Sequence, residues 1–363
     1  MIKIDASRLT IGMELARPVF HKTGLRLLAS KGTVINDYIL RKLQELDTGE
    51  IYVKIYDYCA EEIRQVALEI PFINNIQDSS AKNAYFDAYI AYKDIINDIK
   101  NNQTLSLRII KHTILNIINA INENKAIMMQ LTQIKSLENY TVTHSINVTI
   151  FSLILGMASK ISRTDLINLG IGAFLHDIGK IFISSEILNK PDKLTREEFE
   201  VVQGHTYIGY KKALKIAGIH QVIPRIILEH HERLDSSGYP NGKNDKDIHL
   251  YAQIVAVCDV YEALTSKHVY RSDFLPHEAI EYLFALSSDK KLNIDLIDIF
   301  LENISIYPFG LEVLLSNGSM ARVVDVHQGM PLRPTVEIIG EECNIIDLIN
   351  EPTILITRMF NIS

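Results

Sequence analysis

Residues 171–180 read Ile-Gly-Ala-Phe-Leu-His-Asp-Ile-Gly-Lys, and this stretch decides how the chain from about 136 to 300 is read. The apolar end of a helix, Leu166 to Leu175, runs straight into His176 and Asp177. A carboxylate in that position is costly to bury without a partner. The arrangement returns at 254–259, where Ile-Val-Ala-Val-Cys leads into Asp259. Nearby in sequence lie His144, His205 and the adjacent pair His230-His231. Imidazoles and carboxylates together suit borderline divalent metals such as iron, manganese or zinc, and no cysteine joins the set. Seven ligands exceed the needs of one tetrahedral ion. They suit two ions roughly 3.5–4 Å apart with a hydroxide between them, and Asp177 is the carboxylate assigned to bridge. Isolated histidines such as His220, His249 and His327 are read as surface or satisfied core residues and set aside.

Working outward, 363 residues should form two or three units, with 47% hydrophobic and 22% charged residues, as in an ordinary folded protein. A net charge of −7 gives no basic face for a polymeric nucleic acid. A small anionic ligand stays compatible with it, because bound metal supplies local positive charge. The opening MIKIDASRL lacks a basic segment followed by an apolar one, so export is not expected. Val148 to Ala158 falls short of the roughly 20 residues that span a bilayer and is read as a buried helix. Cys59, Cys258 and Cys343 show no paired spacing, which suggests reduced thiols. A cytoplasmic protein with no membrane association is the expectation.

The fold class expected is mainly α, an all-helical catalytic domain over 136–305 with smaller modules around it. Residues 1–56 form a small α+β module of short alternating runs, Leu15 to Phe20 and Glu50 to Lys54, with Asn36 capping a helix Asp37 to Leu46. Residues 57–135 are a helical connector in which Ile109, Ile110, Ile114, Ile117, Ile118 and Ile121 recur at helical spacing. That stripe fits a homodimer or packing within the chain. Residues 306–363 form a β-rich module: Leu311–Leu315 and Met320–Val326 flank the hairpin turn Asn317-Gly318, and short apolar runs follow at Thr335–Ile339 and Thr353–Thr357.

From about Glu138 to Arg271 the sequence resembles the HD-GYP family of HD phosphohydrolases. The resemblance rests on Tyr140-Thr-Val-Thr-His144-Ser145, His176-Asp-Ile-Gly-Lys180, Ile187-Leu-Asn-Lys-Pro191, Leu194-Thr195, His205 with Gly209, His230-His-Glu-Arg233, Asp235, Gly238-Tyr-Pro240 and Asp259-Val-Tyr-Glu-Ala-Leu-Thr265. It implies metal ligation by His144, His176, Asp177, His205, His230, His231 and Asp259, the seven reached above. Some members hold a third metal with a Glu four residues before the first histidine; Tyr140 stands there, which points to two ions, iron or manganese foremost.

The resemblance also implies hydrolysis of cyclic di-GMP to pGpG and onward to GMP, by a hydroxide that bridges the metals. Lys180, four residues after His176 and so on the same helix face, would reach a phosphoryl oxygen, and Arg271 would bind the other phosphate. Gly238, Tyr239 and Pro240 would form a rigid lip at the site, used for substrate selection or for contact with a diguanylate cyclase domain. His268 replaces a usual Arg, Ser236 a usual Gly and Ser184 a usual Pro. Two other readings stay open: a cyclic di-GMP receptor with little turnover, and an HD hydrolase acting on another nucleotide or cyclic dinucleotide.

Overall fold

The computed structural model describes residues 78–360 except 133, 135–139, 191, 267–273, 305, 308, 328 and 341–343, together with 2–4, 6, 9, 15, 17–23, 26–33, 35–46, 48 and 51–53. Arg271, His268, Cys59 and Cys343 lie outside these residues.

In the N-terminal part, β1 (Ile2–Ile4) pairs with β4 (Ile51–Val53) and β2 (Val19–Phe20) with β3 (Leu27–Ala29), all antiparallel. Helix α1 (Asp37–Glu45) begins where Asn36 Oδ1 accepts the Ile39 amide. A small core of Leu15, Val19, Ile35, Leu43 and Ile51 holds these pieces together.

The helical body contains α2 (Ser79–Lys100), α3 (Leu107–Leu131), α4 (Tyr140–Ala158), α5 (Arg163–Leu175), α6 (Ser185–Leu188), α7 (Arg196–Gln203), α8 (His205–Ala213), α9 (Val222–Glu229), α10 (Leu250–Thr265), α11 (Pro276–Ser288) and α12 (Ile294–Asn303). Helix α4 is apolar all round because it is the central helix: residues 142–156 are buried throughout, packed by α3, α5, α10 and α12. A helix hydrophobic on every side needs such a surround. The isoleucine stripe of α3, including Ile110, Ile114, Ile117, Ile118 and Ile121, is buried in this same core. Chain packing therefore uses the stripe. Helix α3 is kinked at Asn124, whose side chain takes up the freed Ile127 amide.

The C-terminal part is one antiparallel sheet in the order β8-β7-β6-β5-β9, from β5 (Glu312–Leu315), β6 (Met320–Asp325), β7 (Thr335–Ile338), β8 (Ile345–Asp347) and β9 (Ile356–Phe360). Asn317-Gly318 makes the expected turn, with Gly318 at φ +88°. The inward residues Val313, Leu315, Ala321, Val323, Val336 and Ile338 join the helical core through Ile304, Ile306 and Tyr307. The last strand starts at Ile356, paired with Leu315, and not at Thr353. Residues 353–355 instead dock on Ser316, whose backbone amide and hydroxyl both bond the Leu355 backbone.

Candidate metal centre

Three of the histidines sit at the C-terminal ends of helices. His176 caps α5, His230 caps α9, and His205 follows Gly204, the cap of α7. The last carbonyls of a helix lack intrahelical partners. Each of these imidazoles takes one: His176 Nδ1 bonds Ala173 O at 2.7 Å, His205 Nδ1 bonds Val202 O at 2.7 Å and His230 Nδ1 bonds Ile227 O at 2.8 Å. A carbonyl can only accept, so each Nδ1 carries the hydrogen and each Nε2 presents a lone pair to the centre. The partial negative charge at the ends of α5 and α9 also favours a cation there. His144, on α4, is turned the same way by Glu262 of α10, whose carboxylate holds its Nδ1.

The result is a buried group of ring nitrogens and carboxylate oxygens facing one another, with Lys180 donating to it from one side. His144 Nε2 lies 3.1 Å from Asp259 Oδ1. His176 Nε2 lies 3.4 Å from Asp177 Oδ2, and His205 Nε2 lies 3.3 Å from Asp177 Oδ1 and 3.4 Å from His230 Nε2. His144 Nε2, His176 Nε2 and Asp177 Oδ1 are buried with no hydrogen-bond partner. Crowded lone pairs of this kind are stable around cations, so the donor set fits metal. The seven side chains fall into two groups with ligand atoms within 4.8 Å of one another: Asp177, His205, His230 and His231 form one, and His144, His176 and Asp259 the other. Asp177 reaches both, Oδ1 facing His205 and His230 and Oδ2 facing His144 and His176.

Electrostatics agree with this arrangement. Burial alone would push the Asp177 carboxyl up, but Lys180 and His176 beside it hold it well below the usual carboxylate range. Asp259 is likewise held down by His144 and His231 against the effect of burial. Burial and the neighbouring imidazoles keep His230 and His231 neutral, the form that ligates. His144 is the exception: burial lowers its pKa, yet Glu262 and Asp259 overcome that and raise it to about 10 in the metal-free protein.

Lys180 stands beside the centre by a different route from the one its spacing suggests. The α-helix stops at Leu175, and residues 178–182 form a 3-10 turn. That turn aims Lys180 Nζ at Asp177 Oδ2, 2.6 Å away, and not along the face of His176. The lysine remains 22% exposed. Gly179 and Gly209 make the turn possible, since a Cβ on Gly179 would lie 1.9 Å from the His205 carbonyl oxygen.

The Gly238-Tyr239-Pro240 segment leans over the same centre. The Tyr239 ring lies 4.7 Å from the His231 ring, and its peptide to Pro240 is cis. A Cβ on Gly238 would meet the Arg233 amide nitrogen at 2.3 Å, so this loop runs against the backbone of the His230-His231 segment. Buried Glu232 secures the loop by accepting the amides of Asn241 at 2.8 Å and Lys243 at 2.9 Å. Ser236, in the position read as a usual glycine, adopts φ +66°. Ser184 caps α6 by accepting the Glu186 amide at 3.2 Å.

The histidines set aside have ordinary partners: His220 and His249 accept nearby amides, and His327 pairs with Asp347 at 3.0 Å. Glu262 was not singled out by sequence, although it follows Asp259 by one helical turn and so shares its face. It also accepts from Asn147 at 3.2 Å and from Ser266.

Residues 117–293 match the HD domain family, and residues 312–363 match the KOW domain associated with the HD domain. The chain is 33% identical over 213 residues, 58% of its length and 50% of the relative's, to the cyclic di-GMP phosphodiesterase PA4108 of Pseudomonas aeruginosa. It is 36% identical over 133 residues, 37% of its length and 29% of the relative's, to the 3'3'-cGAMP-specific phosphodiesterase 3 of Vibrio cholerae. The chain thus spans about half the length of the first of these relatives and under a third of the second. A solved structure, the HDG"Y"P protein Bd1817 from Bdellovibrio bacteriovorus, superposes with a TM-score of 0.53 at 17% identity, covering 82% of this chain and 97% of that one. HD domain phosphohydrolases are metal-dependent, and the two ligand groups described above fall inside the matched region. On the family match and the relatives, residues 117–293 belong to the HD domain family, and the superposition shows that the fold is shared.

Proposed function

We propose that this chain is a phosphodiesterase that opens cyclic di-GMP to pGpG, with GMP as a further product, at a site holding two divalent cations, iron or manganese foremost. The observation that carries this reading is the Asp177 carboxylate with one oxygen turned to each ligand group. A carboxylate shared in this way suits a pair of ions better than one. Cations held there would give Lewis acidity to the phosphodiester and acidify the attacking water.

The chain's own groups supply the rest. The four imidazoles fixed through Nδ1 need no reorientation to ligate. Lys180 stays cationic, because burial is outweighed by Asp177 and Asp259, and its exposed side can donate to a phosphoryl oxygen as negative charge builds. Water adds to phosphorus, the bond to the 3′ oxygen breaks, and that oxygen leaves with a proton to give a linear product. Gly238, Tyr239 and Pro240 form the wall beside His231 where substrate would rest, and their exposed edge is also where a diguanylate cyclase domain would touch. Arg271 as the second phosphate contact belongs to the same reading. So do the accessory N-terminal (to 56) and β-rich (from about 306) modules, and a cytoplasmic setting that suits the buried thiol of Cys258.

A second substrate reading is supported by the relative specific for 3'3'-cGAMP. The test is to purify the protein anaerobically, count metal per chain and follow both cyclic dinucleotides by chromatography with manganese or ferrous iron. The doubly substituted His176→Ala, Asp177→Ala chain serves as control. About two metals per chain and pGpG formed only by the parent is the expected result. Metal bound with both dinucleotides left intact would reduce the reading to a receptor or to a hydrolase of another nucleotide.

A further inference from the structure

Phe199 is 47% exposed although it is a large aromatic residue one helix away from a buried charged centre. It projects from α7, the helix whose end carries His205, and its ring lies 6.3 Å from Tyr239 at 80°. Tyr239 in turn stands 4.7 Å from His231 and 6.4 Å from His205. The rings therefore form a continuous path from the ligand group to the surface. Along it the polarity changes from imidazole to phenol to bare phenyl.

The segments that carry Phe199 and Tyr239 are both anchored. Thr195 and Glu198 close a capping box at the start of α7. Lys190 Nζ grips both oxygens of Glu198 at 2.6–2.7 Å. On the other side, Glu232 fixes the loop that carries Tyr239 through two amides. The backbone that carries each ring is thus anchored, and a backbone already in place lowers the ordering cost of binding.

We infer that the exposed face of Phe199, with Tyr239 set edge-on beside it, forms a nucleobase platform, so that one base of a cyclic dinucleotide stacks on Phe199 while its neighbouring phosphodiester meets Asp177 and Lys180. A base is joined to its phosphate through one ribose, and the platform begins one side chain beyond the ligand His231. The face of an aromatic ring accepts any base, so the platform gives affinity for a nucleotide over a bare phosphodiester without choosing between guanine and adenine. This inference rests on the cyclic dinucleotide reading above.

The chain has no tryptophan, which allows a test independent of turnover. Phe199→Trp introduces a single indole whose fluorescence reports stacking directly. In the metal-loaded full chain, titration with cyclic di-GMP and with 3'3'-cGAMP should quench this indole saturably, while inorganic phosphate should not. Phe199→Ala should raise KM for the cyclic dinucleotide by roughly 5- to 150-fold, the range of about 1–3 kcal/mol per stacked base. Its kcat and metal content should stay near those of the parent, and Phe199→Trp should restore KM. A parent that binds and cleaves cyclic dinucleotides, together with an unresponsive indole in Phe199→Trp and an unchanged KM in Phe199→Ala, would overturn the platform and leave the proposed function standing. A parent that neither binds nor cleaves any cyclic dinucleotide would overturn both.

Discussion

Replacing Gly179 by alanine should damage the centre without touching a ligand. The added Cβ would sit 1.9 Å from the His205 carbonyl oxygen, 2.7 Å from its carbonyl carbon and 2.9 Å from the Gly209 amide nitrogen. Non-bonded contacts of a Cβ essentially never fall under 3.0 Å, so the 3-10 turn and the start of α8 must part by more than 1 Å. Both partners are backbone, and neither can swing aside. Overpacking of this kind costs typically 1–3 kcal/mol, and backbone on both sides puts this case near the top of that range. For a domain of this size that is a fall in Tm of roughly 6–12 °C at 2–4 °C per kcal/mol. The functional loss should be larger, because Asp177 and Lys180 ride on the displaced turn and a misplacement of ~1 Å can cost about 100-fold in rate. Scanning calorimetry, metal content and turnover measured on Gly179→Ala should show all three losses. Gly204→Ala is the control: Gly204 has helical φ of −58°, and its Cβ would meet nothing nearer than the Val201 carbonyl at 3.1 Å. Its Tm should stay within a few degrees of the parent. A Gly179→Ala chain with parental Tm and full metal would refute the close-approach argument.

Three further outcomes follow from the same geometry. Asp177→Asn keeps the shape of the side chain but removes the shared charge, so metal per chain should drop below one by elemental analysis; two ions retained would show that Asp177 does not bridge. The pKa of His144 is raised in the folded, metal-free chain from 6.5 to about 10. A raised pKa stabilises the fold below the unfolded value, so the metal-free protein should lose stability as pH climbs from about 6.5 to 10. Urea midpoints across that window should fall in the parent and stay flatter in Glu262→Gln, and equal slopes would count against Glu262 as the source. Ser236→Gly should raise Tm by a few degrees, since a non-glycine residue in the left-handed region costs about 1–2 kcal/mol while glycine gives back roughly half of that in chain entropy; an unchanged or lower Tm would mean the loop gains from the serine side chain.

The candidate ligands are legible in the sequence because burial and charge conflict at each of them. His176-Asp177 and Asp259 end apolar runs, and such conflicts are tolerated where a cation resolves them. The Asn317-Gly318 hairpin and the Asn36 cap were legible because local chemistry sets both. What escaped depends on how a helix ends. Spacing of four placed Lys180 over His176, which assumes that α5 continues; the 3-10 turn after Leu175 brings it to Asp177 instead. Glu262 and Phe199 were passed over because a glutamate and a phenylalanine inside helices look like ordinary face residues until the facing elements are known. Strand β8 has no alternation, and its residues are half-buried or exposed, so no pattern announced it.

The ends of the helices explain why this centre can be built from a mostly apolar body at all. A helix stops with unsatisfied carbonyls, and a core made of helix ends would ordinarily have to bury them unpaired. Here His176, His205 and His230 each sit where α5, α7 and α9 stop, and each takes a carbonyl three residues back on its Nδ1. One hydrogen bond thereby adds a donor to a helix-end carbonyl, fixes the tautomer and directs Nε2 inward. His144 lies inside α4, where no carbonyl is spare, and it needs Glu262 from another helix to do the same work. That difference sets His144 apart: burial lowers its pKa, and the Glu262 carboxylate that orients it, with Asp259, more than offsets this.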